Sequence, residues 1–136
     1  MIDRVTPTER ELEILKILWA RGEATVREVY EEMSRSVPIV QNTVQAFLRT
    51  MEEKQLVDHR VEGRSFIYRP LVKREQTNRS LATNLLERVF DGAIDQMVQS
   101  VISAQQPTAE EIARLEELLR TAKQSAKRDT GKGGRS

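Results

Sequence analysis

Cysteine is absent from this chain of 136 residues, and histidine occurs once. The first absence excludes disulfide staples, thiolate metal sites and cysteine redox sensing, so any switch must be mechanical, proteolytic or driven by a ligand that needs no thiol. The second leaves little for acid-base chemistry. His59 follows Asp58, but no serine or cysteine nucleophile motif and no metal-ligand spacing accompanies the pair. His59 therefore reads as a structural strand residue, and no enzyme, metal or cofactor is expected. Aromatic residues make up only 4% of the chain, and no apolar run is long enough to span a bilayer. The N-terminus lacks the charged, apolar and small-residue succession of a secretory signal, which makes a cytoplasmic location the default expectation. An excess of one charge is missing too, since 22 Lys and Arg stand against 21 Asp and Glu. Attraction to a polyanion has to come from the sorting of charges between faces.

With 38% apolar and 32% charged residues, the composition is that of an ordinary soluble protein. Its length suits one compact domain, or a small domain with an oligomerisation appendage. In Thr6-Pro7-Thr8-Glu9 the spacing predicts an N-cap at Thr6, proline at the first helical position and Glu9 three after the cap. That helix runs to about Ala20, with Leu12, Ile14, Leu15, Ile17, Leu18 and Trp19 as a broad apolar stripe and Gly22 as the stop. Thr25-Val26-Arg27-Glu28 is a second capping box and opens a helix whose inner face is Val26, Val29, Tyr30 and Met33. Trp19 and Tyr30, at helical spacing, read as core or interface side chains rather than a ligand cage. Ser34 to Pro38 breaks that helix, and a third begins near Val40 or Gln41, so the pair forms a helix-turn-helix.

Residues 42–70 change period within a few residues. Val44, Phe47, Leu48 and Met51 recur at helical spacing and bury one stripe, which leaves Asn42, Thr43, Gln45, Ala46, Arg49 and Thr50 on or beside the opposite face. After Leu56 the period falls to two. Val57, His59 and Val61 alternate with Asp58 and Arg60, Glu62-Gly63 is the expected turn, and Ser65 to Arg69 runs back. Helix followed by hairpin is the order of a recognition helix and a wing. The fold class expected is mainly α with a small β-hairpin, a winged helix-turn-helix domain over residues 1–71 with Gln41 at the mouth of its recognition helix. Asn and Gln can pair with adenine, Arg with guanine, and Ala or Thr methyl groups can touch a thymine methyl. Arg60, Arg64 and Arg69, with Ser65, are the wing's candidates for phosphate or minor-groove contact. Between Gln41 and Pro70 there are five Lys or Arg and four Asp or Glu, so net charge contributes little.

Beyond Pro70 the chain favours helix almost continuously, and residues 72–122 are expected to form a helical dimerisation region. Leu85, Val89, Phe90, Ile94, Met97, Val98 and Val101 lie on one wide stripe, with Asp91-Gly92 separating two helices. Thr108-Ala109-Glu110-Glu111 is a third capping box, opening a last helix in which Ile112, Leu115, Leu118 and Leu119 repeat at three and four. So much apolar surface exceeds what a soluble monomer usually exposes, and burial against a second copy is the expected solution. Glu87, Arg88, Asp91 and Asp95 on its flanks argue against a membrane surface. Residues 123–136, basic and glycine-rich, are expected to be a disordered tail.

The runs ELEILKILWARGEATVREVYEEM and TVQAFLRTMEEKQLVDHRVEGRSFIYRPLV resemble the penicillinase-repressor family of BlaI/MecI type, which includes the CopY-like copper-responsive repressors. Leu18-Trp19 before Gly22, Thr43-Val44, Glu53-Lys54 before Leu56-Val57, and the Phe66 and Tyr68 strand carry the resemblance, which covers about Thr6 to Lys123. It implies a dimeric winged-helix repressor on an inverted-repeat operator. The family's operator-contacting positions fall on Asn42, Thr43, Gln45, Ala46, Arg49 and Thr50. Members often carry a basic residue at the position of Asn42, a second Thr at that of Ala46 and an Arg at that of Thr50, so the usual operator sequence is not carried over. In the penicillinase branch a membrane sensor's metalloprotease activity leads to cutting of the repressor in its dimerisation region, often at an Asn-Phe bond. The aligned bond here is Ser100-Val101. The copper branch's cysteine-rich hook has no counterpart. Two other readings stay open at this point, a winged helix used as a protein-interaction scaffold and a repressor with a small-molecule trigger.

Overall fold

The computed structural model describes residues 6–133, with side chains as far as residue 128. Two compact units divide the chain at Asp91 and Gly92. In the first, helix α1 (Glu9–Arg21), strand β1 (Ala24–Thr25), helix α2 (Val26–Met33), helix α3 (Gln41–Glu53), strands β2 (Val57–Glu62) and β3 (Ser65–Pro70) and helix α4 (Arg74–Val89) follow in that order. The strands form an antiparallel sheet of order β1-β3-β2. Three helices against a small sheet with a projecting hairpin make a winged helix. Helix α5 (Ile94–Gln105) and helix α6 (Ala109–Gly133) belong to the second unit.

The core of the first unit is built where the apolar periods converge. Ile14, Leu15 and Leu18 of α1, Val29 and Met33 of α2, Val44, Leu48 and Met51 of α3, and Leu56, Val57 and Tyr68 at the sheet form one buried cluster. Each fully buried Leu, Ile or Val there contributes roughly 1.5–3 kcal/mol relative to an exposed position. Helix α3 ends on a left-handed residue, Gln55 at φ 65°, and the Leu56 N–H then donates to the Met51 carbonyl at 2.9 Å. That reversal drives Leu56 into the core and starts β2 within four residues of the end of α3.

Several boundaries differ from the sequence expectation. The N-cap of α1 is Thr8 rather than Thr6: its hydroxyl accepts from the Glu11 N–H, and Glu11 accepts from the Thr8 N–H at 2.9 Å. The segment before α1 offers Thr-x-x-Glu at both Thr6 and Thr8, and only the second places its glutamate where Lys54 can also reach it. Strand β1 was not expected, because two residues show no period until β3 lies beside them. The hairpin turn is Gly63-Arg64, one residue later than expected, since Glu62 still pairs with Ser65. Gly63 has φ +64°, and placing glycine first in a two-residue turn matches the twist of the strands. Helix α6 continues through residues 123–133, where a disordered tail was expected. Lys, Gln, Ala and Arg follow Ala122 without a proline, and all favour helix. Residues 134–136 lie outside the described residues. The division between units, at Asp91-Gly92 rather than after residue 71, places α4 with the winged helix.

Polar ties add to the packing of this unit, two of them at the ends of α1. Glu11, 2% exposed, takes both of its carboxylate oxygens to the Lys54 ammonium, at 2.9 and 3.0 Å, joining the start of α1 to the end of α3. Trp19 donates its indole N–H to the Val72 carbonyl at 2.9 Å while the Arg74 guanidinium lies 5.2 Å above its ring, which fastens the entry of α4 to α1. Removing Lys54 strands a buried carboxylate. Lys54→Leu is expected to cost about 2–3 kcal/mol in chemical denaturation, and the double variant with Glu11→Leu less than that, although it also loses a helix cap. A double variant less stable than Lys54→Leu alone contradicts this assignment.

Candidate nucleic-acid interface

Helix α3 turns its apolar stripe inward and its polar residues outward. Val44, Leu48 and Met51 are buried, whereas Gln41, Asn42, Thr43, Ala46, Arg49 and Thr50 are exposed and Gln45 is half-buried. All seven α3 candidates from the sequence thus share one helix, with small and hydrogen-bonding side chains gathered at its N-terminal end. The N-cap, Val40, supplies no side-chain hydrogen bond. First-turn N–H groups of α3 are therefore left without a side-chain acceptor.

The wing has two unlike faces. Strand pairing sets His59 opposite Tyr68 and Val61 opposite Phe66, while Asp58 faces Arg69 and Arg60 faces Ile67. Partners across a ladder point to the same side of the sheet, and neighbours along a strand to opposite sides. His59, Tyr68, Val61 and Phe66 therefore share the α3 side: His59 Nδ1 lies 2.8 Å from the Glu52 carboxylate, and Tyr68 is packed in the core. Burial first, and the Glu52 carboxylate second, push the Tyr68 hydroxyl above its ordinary value, against a downward pull from Arg49. His59 is thus a brace between β2 and α3, in keeping with its structural reading.

The opposite face is a lattice of ion pairs. Arg60 holds Glu23 in a two-pronged contact at 2.7 and 3.1 Å and reaches Glu62 at 3.4 Å; Arg69 holds Asp58 at 2.7 and 3.1 Å. The hydrogen bond from Arg60 holds the Glu23 carboxyl below its ordinary 4.5, and that from Arg69 holds Asp58 below 3.8. Both guanidinium groups are correspondingly held above their ordinary values, chiefly by those same hydrogen bonds. Arg60, a sequence candidate for phosphate contact, is thereby placed away from α3 and turned to Glu23. No local pattern announces that pairing, because Glu23 and Arg60 are 37 residues apart. Of the five cations between Gln41 and Pro70, Lys54, Arg60 and Arg69 are committed to ion pairs. Arg49 on α3 and Arg64 at the exposed wing turn have no ion-pair partner among the described residues. A net charge near zero is in this way sorted into a neutralised outer face and two cations outside ion pairs, Arg49 on α3 and Arg64 at the wing turn.

The second unit presents a different surface. No residue of α5 is buried, and Ile94, Val98, Val101 and Ile102 are exposed. On α6, Ile112, Leu118 and Leu119 are exposed and Leu115 is half-buried. An open apolar cleft between the two helices is lined by Val101, Ile102, Pro107, Leu115 and Leu118. Ile102, at 41%, and Leu118, at 65%, are exposed at this cleft. Met97 is half-buried; Leu85, Val89 and Phe90, also candidates, lie at the end of α4 in the first unit, with Leu85 and Val89 exposed. Ser100 and Val101 are exposed but lie inside α5, away from either end. Among the described residues there is no cluster of His, Cys, Asp or Glu able to hold a metal, and no helix long and apolar enough to cross a membrane.

The sequence matches the model of the penicillinase repressor family over residues 7–121. It is 28% identical over 120 residues to a penicillinase repressor of Bacillus licheniformis, a match covering 88% of this chain and 94% of that protein. It is 20% identical over 109 residues to the methicillin resistance regulatory protein MecI of Staphylococcus aureus strain N315, covering 80% and 89%. Among solved structures, the solution structure of the DNA binding domain of the repressor BlaI is similar at 29% identity and a TM-score of 0.47, over 50% of this chain and 83% of that one.

The ion pairs on the outer face of the wing set a pH response. Folded-state carboxyls held below their unfolded values contribute stability that is present above the unfolded value and is lost as pH falls through the folded one. The thermal midpoint is therefore expected to fall as pH drops below about 4, less steeply at high salt, and the fall should flatten in a Glu23→Gln, Asp58→Asn variant. An acid profile identical in that variant contradicts the attribution.

Proposed function

The chain belongs to the penicillinase-repressor family, and from that membership we propose that it is a dimeric, sequence-specific repressor that binds an inverted-repeat operator through α3 and the wing. It is a DNA-binding repressor and not an enzyme, as are the relatives it matches. The observation that carries the finer reading is the charge sorting. Every cation on the outer wing face is neutralised, while Arg49, on the helix that presents Gln41, Asn42, Thr43, Gln45, Ala46 and Thr50, and Arg64, at the wing turn, stay outside the ion pairs among the described residues. Base discrimination belongs to α3, with each bidentate side-chain contact contributing about 1–3 kcal/mol. Arg64 and the uncapped first turn of α3 take phosphate oxygens and set the register without reading sequence, whereas Ser65, paired with Glu62, lies on the outer face with Arg60. Arg60 joins them only by releasing Glu23.

The homodimer is supported by the second unit's own chemistry. Two helices that bury nothing on α5 and leave Ile94, Val98, Val101, Ile112, Leu118 and Leu119 exposed form no core of their own. A second copy supplies the missing half, and two winged helices on one duplex then gain avidity. Loss of the dimer is the off-switch in this reading. Cutting at Ser100-Val101 by a protease linked to a membrane sensor accomplishes it, and because that bond lies within α5 the helix must first open locally. The site of action is the cytoplasm.

One experiment compares the intact protein, Arg49→Ala and a chain ending at Ser100 on the intergenic DNA upstream of its own gene, by fluorescence anisotropy at several salt concentrations. The intact protein is expected to bind tightly, with log affinity falling linearly in log salt. Arg49→Ala should lose about 1–3 kcal/mol and discriminate less at its base pair. The shortened chain should sediment as a monomer and bind the full repeat roughly 100-fold more weakly. Equal binding by the shortened chain overturns the off-switch; weak, sequence-indifferent or salt-independent binding by the intact protein overturns the repressor reading in favour of a protein-interaction scaffold.

A further inference from the structure

The wing carries an apolar feature that its charges do not explain. Val61 is 60% exposed and Phe66 41% exposed, and the two are directly paired across the hairpin. Phe66 stacks on His59 with ring centroids 4.2 Å apart and planes 16° from parallel, and His59 in turn lies 5.2 Å from Tyr68. Together they form a continuous strip from the core to the outer part of the wing, entirely on the side of the sheet that faces α3. Exposed apolar pairs weaken a hairpin's solubility and invite pairing with other chains. On the opposite face the same strand positions carry Asp58, Arg60 and Arg69, all neutralised in ion pairs.

We propose that Val61 and Phe66 form an apolar contact for the deoxyribose edge of the operator strand that lies between α3 and the wing. Charge complementarity favours this occupant over a protein. Arg49 and Arg64, which have no ion-pair partner among the described residues, are the cations of α3 and the wing turn. The carboxylate nearest the strip, Glu52, is already engaged by His59, and Glu62 is turned to the other face with Arg60. A backbone strand offers phosphates at its margins and apolar sugar C–H groups between them. Proteins that bind the minor groove likewise bring apolar side chains against the duplex, there as wedges between base steps. The contact is continuous with the α3 surface and rests on the DNA-binding reading of that surface.

Salt separates the two kinds of contact. Removing a phosphate-neutralising cation lowers the slope of log affinity against log salt by about 1, whereas removing an apolar contact lowers affinity without changing the slope. The test uses the full chain and the operator duplex found for the intact protein, with Val61→Ser, Val61→Ile and Arg64→Ala. Val61→Ser is expected to bind about tenfold more weakly at every salt concentration with an unchanged slope, Val61→Ile to keep most of the affinity, and Arg64→Ala to lose slope. Thermal midpoint and sedimentation of Val61→Ser should match the intact protein, because the side chain is exposed. Unaltered affinity in Val61→Ser overturns the proposal, and so does a change in its oligomeric state, which assigns the strip to a second protein chain. Absence of salt-dependent binding by the intact protein is a different failure, that of the DNA reading beneath it.

Discussion

Burial of the Val44, Leu48 and Met51 stripe is the constraint on which the rest of the first unit depends. A helix of 3.6 residues per turn that commits one stripe to a core has no freedom left in its rotation. Thr43, Ala46, Arg49 and Thr50 then have to face outward, whatever they contact there. The constraint propagates along the chain, because the left-handed Gln55 and the buried Leu56 that end α3 also fix where β2 begins. His59 and Glu52 make the coupling mutual, joining the middle of β2 to the last turn of α3. Helix α3 and the wing are accordingly braced against each other, with Lys54 and Glu11 tying the base of α3 to α1.

Electrostatics on this scaffold works by subtraction. Exposed ion pairs such as Arg69 with Asp58 contribute little to stability, because solvent and salt screen them and two long side chains must be held still. By neutralising the outer face of the wing they leave Arg49 and Arg64 as the cations of α3 and the wing outside ion pairs among the described residues, and in the proposed function a protein with balanced charge overall meets its polyanion through these two. The apolar strip of Val61 and Phe66 lies on that same side. In the second unit the corresponding principle is apolar: α5 and α6 place their chemistry on surfaces that a single chain leaves uncovered.

Much of this was legible before any coordinates. The change from a helical period to an alternating one at Leu56 marks α3 and the wing, and the capping boxes at Thr25 and Thr108 both form, the second with Thr108 and Glu111 bonded at 2.9 and 3.1 Å. What was not legible depends on partners distant in sequence. Thr6 and Thr8 both satisfy the cap pattern, and the choice falls to Thr8 because Glu11 also meets Lys54. Strand β1 exists through its pairing with β3, since two residues carry no period. Arg60 looks like a phosphate ligand in sequence and is an ion-pair partner in space, because Glu23 arrives from the turn after α1.

The central claim is that the exposed side of α3 and the α3 side of the wing form one DNA surface. It is tested most directly by titrating isotope-labelled protein with its own upstream duplex and following backbone amide shifts by NMR. The account predicts that the large changes gather at Gln41 to Thr50 and at Val61 to Phe66, while Glu23, Asp58 and Arg69 stay nearly still. Changes centred on Glu23, Arg60 and Arg69, or spread over α5 and α6 alone, would contradict it.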